Sequence, residues 1–170
     1  IPIPDIDQTD YFLMLGANPM ASNGSIMTVP NFPKRLKALQ QRGGKLIVID
    51  PRRSETAEKA DTHHFIRPGS DAALLAAMLK TLFDEQLINT GHLSDSLSDF
   101  DKIADLLAPF SADRAAELTG ISAADILRLT REFAAADKAV IYGRMGVSTQ
   151  QYGTLCQWLI QLINLATGNL

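Results

Sequence analysis

The feature that most constrains the fold is the alternation of short, mostly apolar runs with longer segments of helical period. The runs at 11–15, 45–49 and 138–142 have the length of buried strands, and each is followed by a glycine or an aspartate. Strands that alternate with amphipathic helices are typical of a parallel sheet covered by helices. We therefore predict an α/β fold over residues 1–170. It is a three-layer, doubly wound and mostly parallel sheet with helical additions, forming one domain.

Spacing and turn residues predict the main helices. Asn31 is predicted to cap a helix that buries Phe32, Leu36 and Leu39, and Ser122 to cap a helix over 122–136 by capping-box spacing. The apolar segment 72–83 predicts an interior helix. Shorter elements are expected at 54–61 (helix), 63–66 (strand) and within 85–117 (two or three helices). A last helix over 150–166 is predicted to bury Leu155, Trp158, Leu159, Leu162 and Ala166.

The composition argues against several classes of function. The net charge is −3, and scattered lysines and arginines form no basic surface for nucleic acid. Cys156 is the single cysteine, which excludes a disulfide within the chain and predicts inert packing. His63, His64 and His92 lack metal-ligand spacing, so no metal site is expected. The apolar stretch 155–166 is too short and too polar to span a bilayer.

Ligands of open parallel sheets bind outside the carboxyl ends of the strands. Four strand ends or helix entries here carry suitable residues, at 16–19, 50–54, 68–71 and 143–146. Gly16 would let the backbone approach a ligand, and the Asn18 amide offers a donor and an acceptor. The alternative is a plain turn, because Asn-Pro often initiates turns. The G-x-G-x-x-G fingerprint of dinucleotide-binding folds is absent.

Acidic residues mark two of these segments. Asp50 follows the second strand, where a carboxylate can accept hydrogen bonds from ribose hydroxyls. It could instead cap a helix or pair with Arg52 or Arg53, which could meet a phosphate or remain solvated. Asp71 opens the apolar helix and could cap it. A carboxylate there could also accept two parallel hydrogen bonds from guanine N1 and N2. The residues leave these alternatives open.

The ordered series of segments resembles a known family, the dimethyl sulfoxide reductase family of molybdopterin oxidoreductases, and especially its formate dehydrogenases and nitrate reductases. The likeness extends over essentially all 170 residues. It rests on Gly16-x-Asn18-Pro19, Asp50-Pro51-Arg52, Glu55-Thr56-Ala57, Pro68-Gly69-Ser70-Asp71, Leu118-Thr119-Gly120, Met145-Gly146-Val147 and Thr167-Gly168-Asn169.

The resemblance implies a cofactor and the residues that contact it. The cofactor is bis-molybdopterin guanine dinucleotide, and the segments here would hold the guanosine part of one copy. Some relatives place a glutamine where this chain has Thr149, with Gln150 next. The implied contacts are Gly16, Ala17, Asn18, Pro19, Asp50, Pro51, Arg52, Arg53, Gly69, Ser70, Asp71, Met145 and Thr149.

The resemblance also implies what lies outside these residues. The chain begins at Ile1 and is expected to be an internal piece of a larger enzyme, inactive alone and without catalytic residues of its own. A [4Fe-4S] cluster and the molybdenum ligand are expected upstream, and residues 143–170 are expected to pack with a neighbouring domain. The intact protein would oxidise or reduce a small substrate such as formate or nitrate, using an electron-transfer subunit. It would lie in the cytoplasm, or alternatively in the periplasm. The alternative functions are a non-catalytic relative, such as a subunit of complex I, and an unrelated Rossmann-type nucleotide-binding domain.

Overall fold

The structure, a computed structural model, describes residues 3–24 and 26–169. Within these residues the strands β1 (Tyr11–Leu15), β2 (Lys45–Ile49), β3 (Thr62–His64) and β4 (Ala139–Gly143) form one sheet. The order is β3-β2-β1-β4, and every neighbouring pair is parallel. The chain leaves β1 toward β2 and later returns to its other side as β4, so the sheet is doubly wound. The predicted fold class is confirmed.

Helices cover both faces of this sheet. The 3₁₀ turns Ala57–Lys59 and Gly91–Ser96 supplement them. The predicted helix over 54–61 is therefore wrong, because only a single tight turn forms there. The α-helices are α1 (Pro19–Ser22), α2 (Phe32–Gln41), α3 (Asp71–Asp84), α4 (Lys102–Leu106), α5 (Ala112–Thr119), α6 (Ala123–Ala135), α7 (Met145–Ser148) and α8 (Gly153–Ala166).

The alternation of side chains along β1 divides the core between the two faces. Phe12 and Met14 pack with the buried face of α2, while Leu13 and Leu15 pack with α3, α6 and α8. All five residues of β1 are buried, as expected for the central strand of a three-layer fold.

Of the two predicted helix caps, the structure corrects one and confirms the other. Asn31 precedes α2 in the left-handed conformation, with φ of 56°, and its side chain makes no cap hydrogen bond. Pro33 lacks an N–H group and the N–H of Lys34 is bonded to the Asn31 carbonyl, so the side chain has no nearby donor to accept from. By contrast, Ser122 caps α6 as predicted, and its Oγ accepts from the Asp125 N–H at 3.1 Å.

The exposed side of α8 differs from the prediction. Leu155 and Trp158 are 44% and 48% exposed, whereas Leu159, Leu162 and Ala166 are buried as predicted. The helix buries only the stripe that faces α3 and β4, and the first two side chains flank it. The expectation that residues 143–170 pack with a neighbouring domain stays a prediction. None of the helices in the described residues has the length and apolarity to cross a membrane.

Side-chain amides cover the outer edge of β4. Asn164 both donates to the Ile141 carbonyl and accepts from the Ile141 N–H, each at 3.0 Å. Asn169 Oδ1 accepts from the Ala139 N–H at 3.0 Å, and Gln157 Nε2 donates to the Gly143 carbonyl at 3.1 Å. These amides occupy backbone groups that a fifth strand would otherwise use.

Candidate cofactor-binding site

The loops after β1 and β4 meet through two glycines at the carboxyl edge of the sheet. Gly16 has φ of +54°, and a Cβ there would lie 2.7 Å from the Val147 nitrogen. A Cβ on Gly146 would lie 2.8 Å from the Gly16 Cα. The Gly146 N–H donates to the Gly16 carbonyl at 3.0 Å. Only glycine allows the two backbones to approach this closely.

A cleft of about 240 Å³ opens beside this glycine contact. It joins the loops after β1, β2 and β4 to the entry of α3, so segments that are far apart in sequence share one site. Pockets that hold a whole drug-sized ligand span about 300–1,000 Å³, so this cleft suits one part of a nucleotide. Its lining residues are Gly16, Asp50, Pro51, Pro68, Gly69, Asp71, Gly146 and Gln150.

A second cleft of about 390 Å³ adjoins the first and shares Gly16 with it. Small residues from the loop after β1 and from α1 form one side, and Arg144 and Met145 form the other. Arg144 Nη1 donates to Ser22 Oγ at 2.8 Å. The second cleft thus combines a cation with room for a ligand beside the backbone of residues 16–18.

Asp71 is the buried acid of the first cleft. It is the first residue of α3 and only 6% exposed, and its Oδ2 accepts from Gln150 Nε2 at 2.9 Å. Burial raises the pKa of Asp71, the nearby charge of Asp50 raises it further, and the hydrogen bond from Gln150 opposes both. The Asp71 carboxylate therefore lies both at the start of α3 and in the polar lining of the cleft.

Asp50 lines the same cleft at the end of β2. Its Oδ1 accepts from the Arg52 N–H at 2.8 Å, and its carbonyl accepts from His63 Nε2 at 3.0 Å. Among the described residues Asp50 forms no ion pair with Arg52 or Arg53. Arg52 instead lies 3.6 Å from Glu55, and both arginines are exposed outside the two clefts.

Asn18 joins two loops with its side chain. Its Nδ2 donates to Glu55 Oε2 at 2.7 Å, and its Oδ1 accepts from the Thr56 N–H and hydroxyl at 3.2 and 2.7 Å. The hydrogen bond from Asn18 lowers the pKa of Glu55. Both amide atoms are thus engaged within the protein. Asn18 positions the loop and also lies among the residues that line the second cleft.

The other predicted residues divide between the clefts and their surroundings. Ala17 and Met145 line the second cleft, and Met145 is 56% exposed at its edge. Pro19 begins α1 beside it. Ser70 Oγ donates to the Arg67 carbonyl, and Thr149 Oγ1 donates to the Met145 carbonyl at 2.7 Å. Neither residue is among those that line the two clefts.

Gln150 and Arg144 line the clefts although the sequence did not single them out. Gln150 lies one position after the residue that the family resemblance indicated. Because α7 ends at Ser148, helical spacing cannot show which of the next two side chains faces the cleft. The sequence feature that came nearest to indicating Arg144 was the segment 143–146, which begins and ends with glycine. This segment follows β4 and brings Arg144 to the carboxyl edge of the sheet.

The positions of the metal-ligating side chains and of the single thiol also bear on the chemistry of the site. Within the described ranges no three His, Cys, Asp or Glu side chains form a group that could hold a metal ion. Cys156 is fully buried, and burial raises its pKa to about 11, so it remains a protonated thiol at neutral pH.

Comparison with known proteins identifies the family. The model of the molybdopterin oxidoreductases matches residues 1–170. Formate dehydrogenase H of Escherichia coli (strain K12) is 30% identical over 168 residues, which are 99% of this chain and 23% of that protein. The F420-dependent formate dehydrogenase subunit alpha of Methanocaldococcus jannaschii is 27% identical over 168 residues, 99% of this chain and 24% of that subunit.

A solved structure agrees with the sequence comparison. Acetylene hydratase from Pelobacter acetylenicus superimposes with a TM-score of 0.86 at 27% identity, covering 99% of this chain and 22% of that one. The chain therefore spans roughly a quarter of the length of these relatives. The family model matches all 170 residues, and the predicted resemblance is confirmed. The chain belongs to the molybdopterin oxidoreductase family.

Proposed function

We propose that the chain binds the guanosine diphosphate part of a molybdopterin guanine dinucleotide at the carboxyl edge of its sheet. The observation that carries this proposal is the placement of Asp50 and Asp71 on one cleft, next to a second cleft that contains Arg144. Loops from both halves of the doubly wound sheet contribute, as expected for a ligand at a topological switch point.

Asp71 would recognise the base. Guanine presents N1–H and N2–H side by side, and an ionised carboxylate accepts both. Adenine presents an acceptor at N1, so it would leave the buried carboxylate unpaired and would be rejected. The raised pKa of Asp71 shows that burial disfavours its charge, and two donors from guanine would offset that cost.

Asp50 and Arg144 would hold the sugar and the phosphates. Asp50 uses only Oδ1 in its bond to the Arg52 N–H, so the carboxylate retains capacity to accept from ribose hydroxyls. Phosphates would be repelled by the two aspartates and would lie in the second cleft near Arg144. Gly16, shared by both clefts, lets the backbone approach the ligand where they join.

The rest of the cofactor would determine the chemistry of the intact protein. The molybdenum–pterin group supplies two-electron redox chemistry when bound. This chain would bind and orient one end of it, and would show no activity alone. The named relatives include formate dehydrogenases, so formate is the substrate that we propose for the intact protein, with a [4Fe-4S] cluster outside these residues and an electron-transfer subunit as partner.

Titration of the chain with GDP and ADP by calorimetry tests the proposal. We expect GDP to bind and ADP to bind at least about tenfold more weakly, since the wrong base leaves a buried charge unpaired. The Asp71→Ala variant should lose about tenfold or more in GDP affinity. Asp84→Ala, which removes an exposed carboxylate at the other end of α3, is the matched control and should bind GDP normally. Equal GDP affinity in both variants would contradict the proposal.

A further inference from the structure

The orientation of the Gln150 side-chain amide is fixed by its neighbours. One terminal atom lies 2.9 Å from Asp71 Oδ2 and 3.3 Å from the Gly146 carbonyl oxygen. Both neighbours only accept hydrogen bonds when Asp71 is ionised, so the atom facing them must be the donor, Nε2. The carbonyl oxygen Oε1 is therefore the atom on the opposite side.

That oxygen is buried without a partner. Oε1 of Gln150 is inaccessible to solvent and has no hydrogen-bond partner among the described residues. Leaving a buried acceptor unpaired costs about 1–3 kcal/mol, so native proteins rarely do so without a functional reason. Gln150 lines the first cleft together with Asp50 and Asp71, and its unpaired group points to a ligand that carries a donor.

The side chains of the first cleft therefore present mainly acceptors to a ligand. Asp50 and Asp71 contribute carboxylate oxygens, and the donor of Gln150 is already used by Asp71 and Gly146. The Watson–Crick edge of guanine carries three N–H groups, one on N1 and two on N2. The Asp71 carboxylate can accept the N1 hydrogen and one N2 hydrogen, which leaves the second N2 hydrogen for another acceptor.

We propose that Gln150 determines base specificity, with its Oε1 accepting the second N2 hydrogen of guanine while its Nε2 orients Asp71. This inference rests on the proposed binding of guanosine. It assigns the role to Gln150 rather than to Thr149, whose hydroxyl is bonded to the Met145 carbonyl. Gln150 thus recognises the exocyclic 2-amino group by a hydrogen bond, and this group is what distinguishes guanine from hypoxanthine.

The test compares GDP with inosine diphosphate, whose base keeps N1–H but lacks the 2-amino group. The Gln150→Met variant keeps a side chain of similar length without the amide. We expect the wild-type chain to prefer GDP over inosine diphosphate by tenfold or more, and Gln150→Met to reduce that ratio by about tenfold, the effect of one lost hydrogen bond. Gln151→Met changes the exposed neighbouring glutamine and should leave the ratio unchanged.

The ratio separates base reading from a structural role. A general disturbance of the cleft would weaken both nucleotides together, whereas loss of the N2 contact weakens GDP selectively. If the Gln150→Met chain prefers GDP over inosine diphosphate by the same ratio as the wild type, the inference is overturned. A wild-type chain that binds both nucleotides equally also overturns it, while the proposed guanosine site stands. A wild-type chain that binds neither nucleotide contradicts the proposed function itself, and the inference with it.

Discussion

At the scale of single residues, Asp71 carries an electrostatic cost that a ligand could relieve. Its pKa is raised mainly by burial and further by Asp50, while the hydrogen bond from Gln150 and a backbone hydrogen bond lower it. A carboxyl group whose pKa is higher in the folded than in the unfolded chain favours folding only when it is protonated. The contribution of this carboxyl group to the stability of the folded chain is therefore fully present below about pH 3.9. It is lost as the pH rises through the pKa that the group has in the folded chain.

Asp71→Asn should consequently stabilise the chain at neutral pH when no nucleotide is present. The amide keeps an oxygen that accepts from Gln150 but carries no charge to desolvate. Urea unfolding at pH 7 and at pH 3 measures this difference. We expect the variant to be more stable at pH 7 and equal to wild type at pH 3, where Asp71 itself is protonated. A variant that is less stable than wild type at pH 7 would show that the buried charge of Asp71 does not destabilise the folded chain.

The shared position of the two aspartates was easier to predict than the contacts of their neighbours. Asp50 and Asp71 could be placed on one cleft because the carboxyl ends of parallel strands meet at one edge. The role of Asn18 was harder to foresee, since both its amide atoms bond Glu55 and Thr56, some forty residues away. Pairings at such separation leave no periodic signal in the sequence.

At the scale of elements, the amides of α8 and of the turn after it stabilise β4. Asn164 is 2% exposed and satisfies both outward-facing backbone groups of Ile141. Asn164→Leu would keep the size of the side chain but leave a buried N–H and a buried carbonyl unpaired, at about 1–3 kcal/mol each. We expect a loss of roughly 2–4 kcal/mol in the free energy of unfolding, measured by urea denaturation.

Asn169→Leu is the matched control for this prediction. Asn169 accepts a single hydrogen bond from the β4 backbone, and its Nδ2 donates only to Thr167 within the same turn. Its replacement leaves one β4 group unpaired rather than two, so the loss of stability should be about half as large. Substitutions at neutral surface positions usually change the free energy of unfolding by no more than about 0.5 kcal/mol. If Asn164→Leu changes it by no more than this, the amides do not stabilise the strand.

Periodicity explains why most elements were predictable. The strands β1, β2 and β4 and the buried stripe of α2 follow directly from apolar spacing. The exposure of Leu155 and Trp158 was not predictable, because spacing shows that a helix has an apolar side but not how wide a stripe its neighbours cover. The register after α7, which brings Gln150 rather than Thr149 to the cleft, likewise depends on tertiary contacts.

At the scale of the whole molecule, the contact between Gly16 and Gly146 joins the loops that follow β1 and β4, the strands where the two halves of the doubly wound sheet meet. Gly16→Ala would combine a left-handed backbone with a Cβ only 2.7 Å from backbone atoms. We expect a loss of at least about 3 kcal/mol in the free energy of unfolding, together with loss of GDP binding, because the loops must separate.

Gly43→Ala isolates the contribution of the backbone conformation. Gly43 also has a positive φ, +89°, but a Cβ there would meet no atom within 4 Å. The Gly43→Ala substitution should lower the free energy of unfolding by only about 1 kcal/mol and leave GDP binding unchanged. Equal losses in the two alanine variants would show that the approach of the two loops is unimportant.

The amide-covered edge of β4 has a consequence for assembly. An open edge strand is a template on which another chain can add a strand, in aggregation as well as in regulated association. Here an incoming strand would first have to displace Asn164, Asn169 and Gln157 from the backbone groups that they occupy. A neighbouring domain or subunit that contacts this edge is therefore expected to attach through helices and loops, leaving the sheet at its present width there.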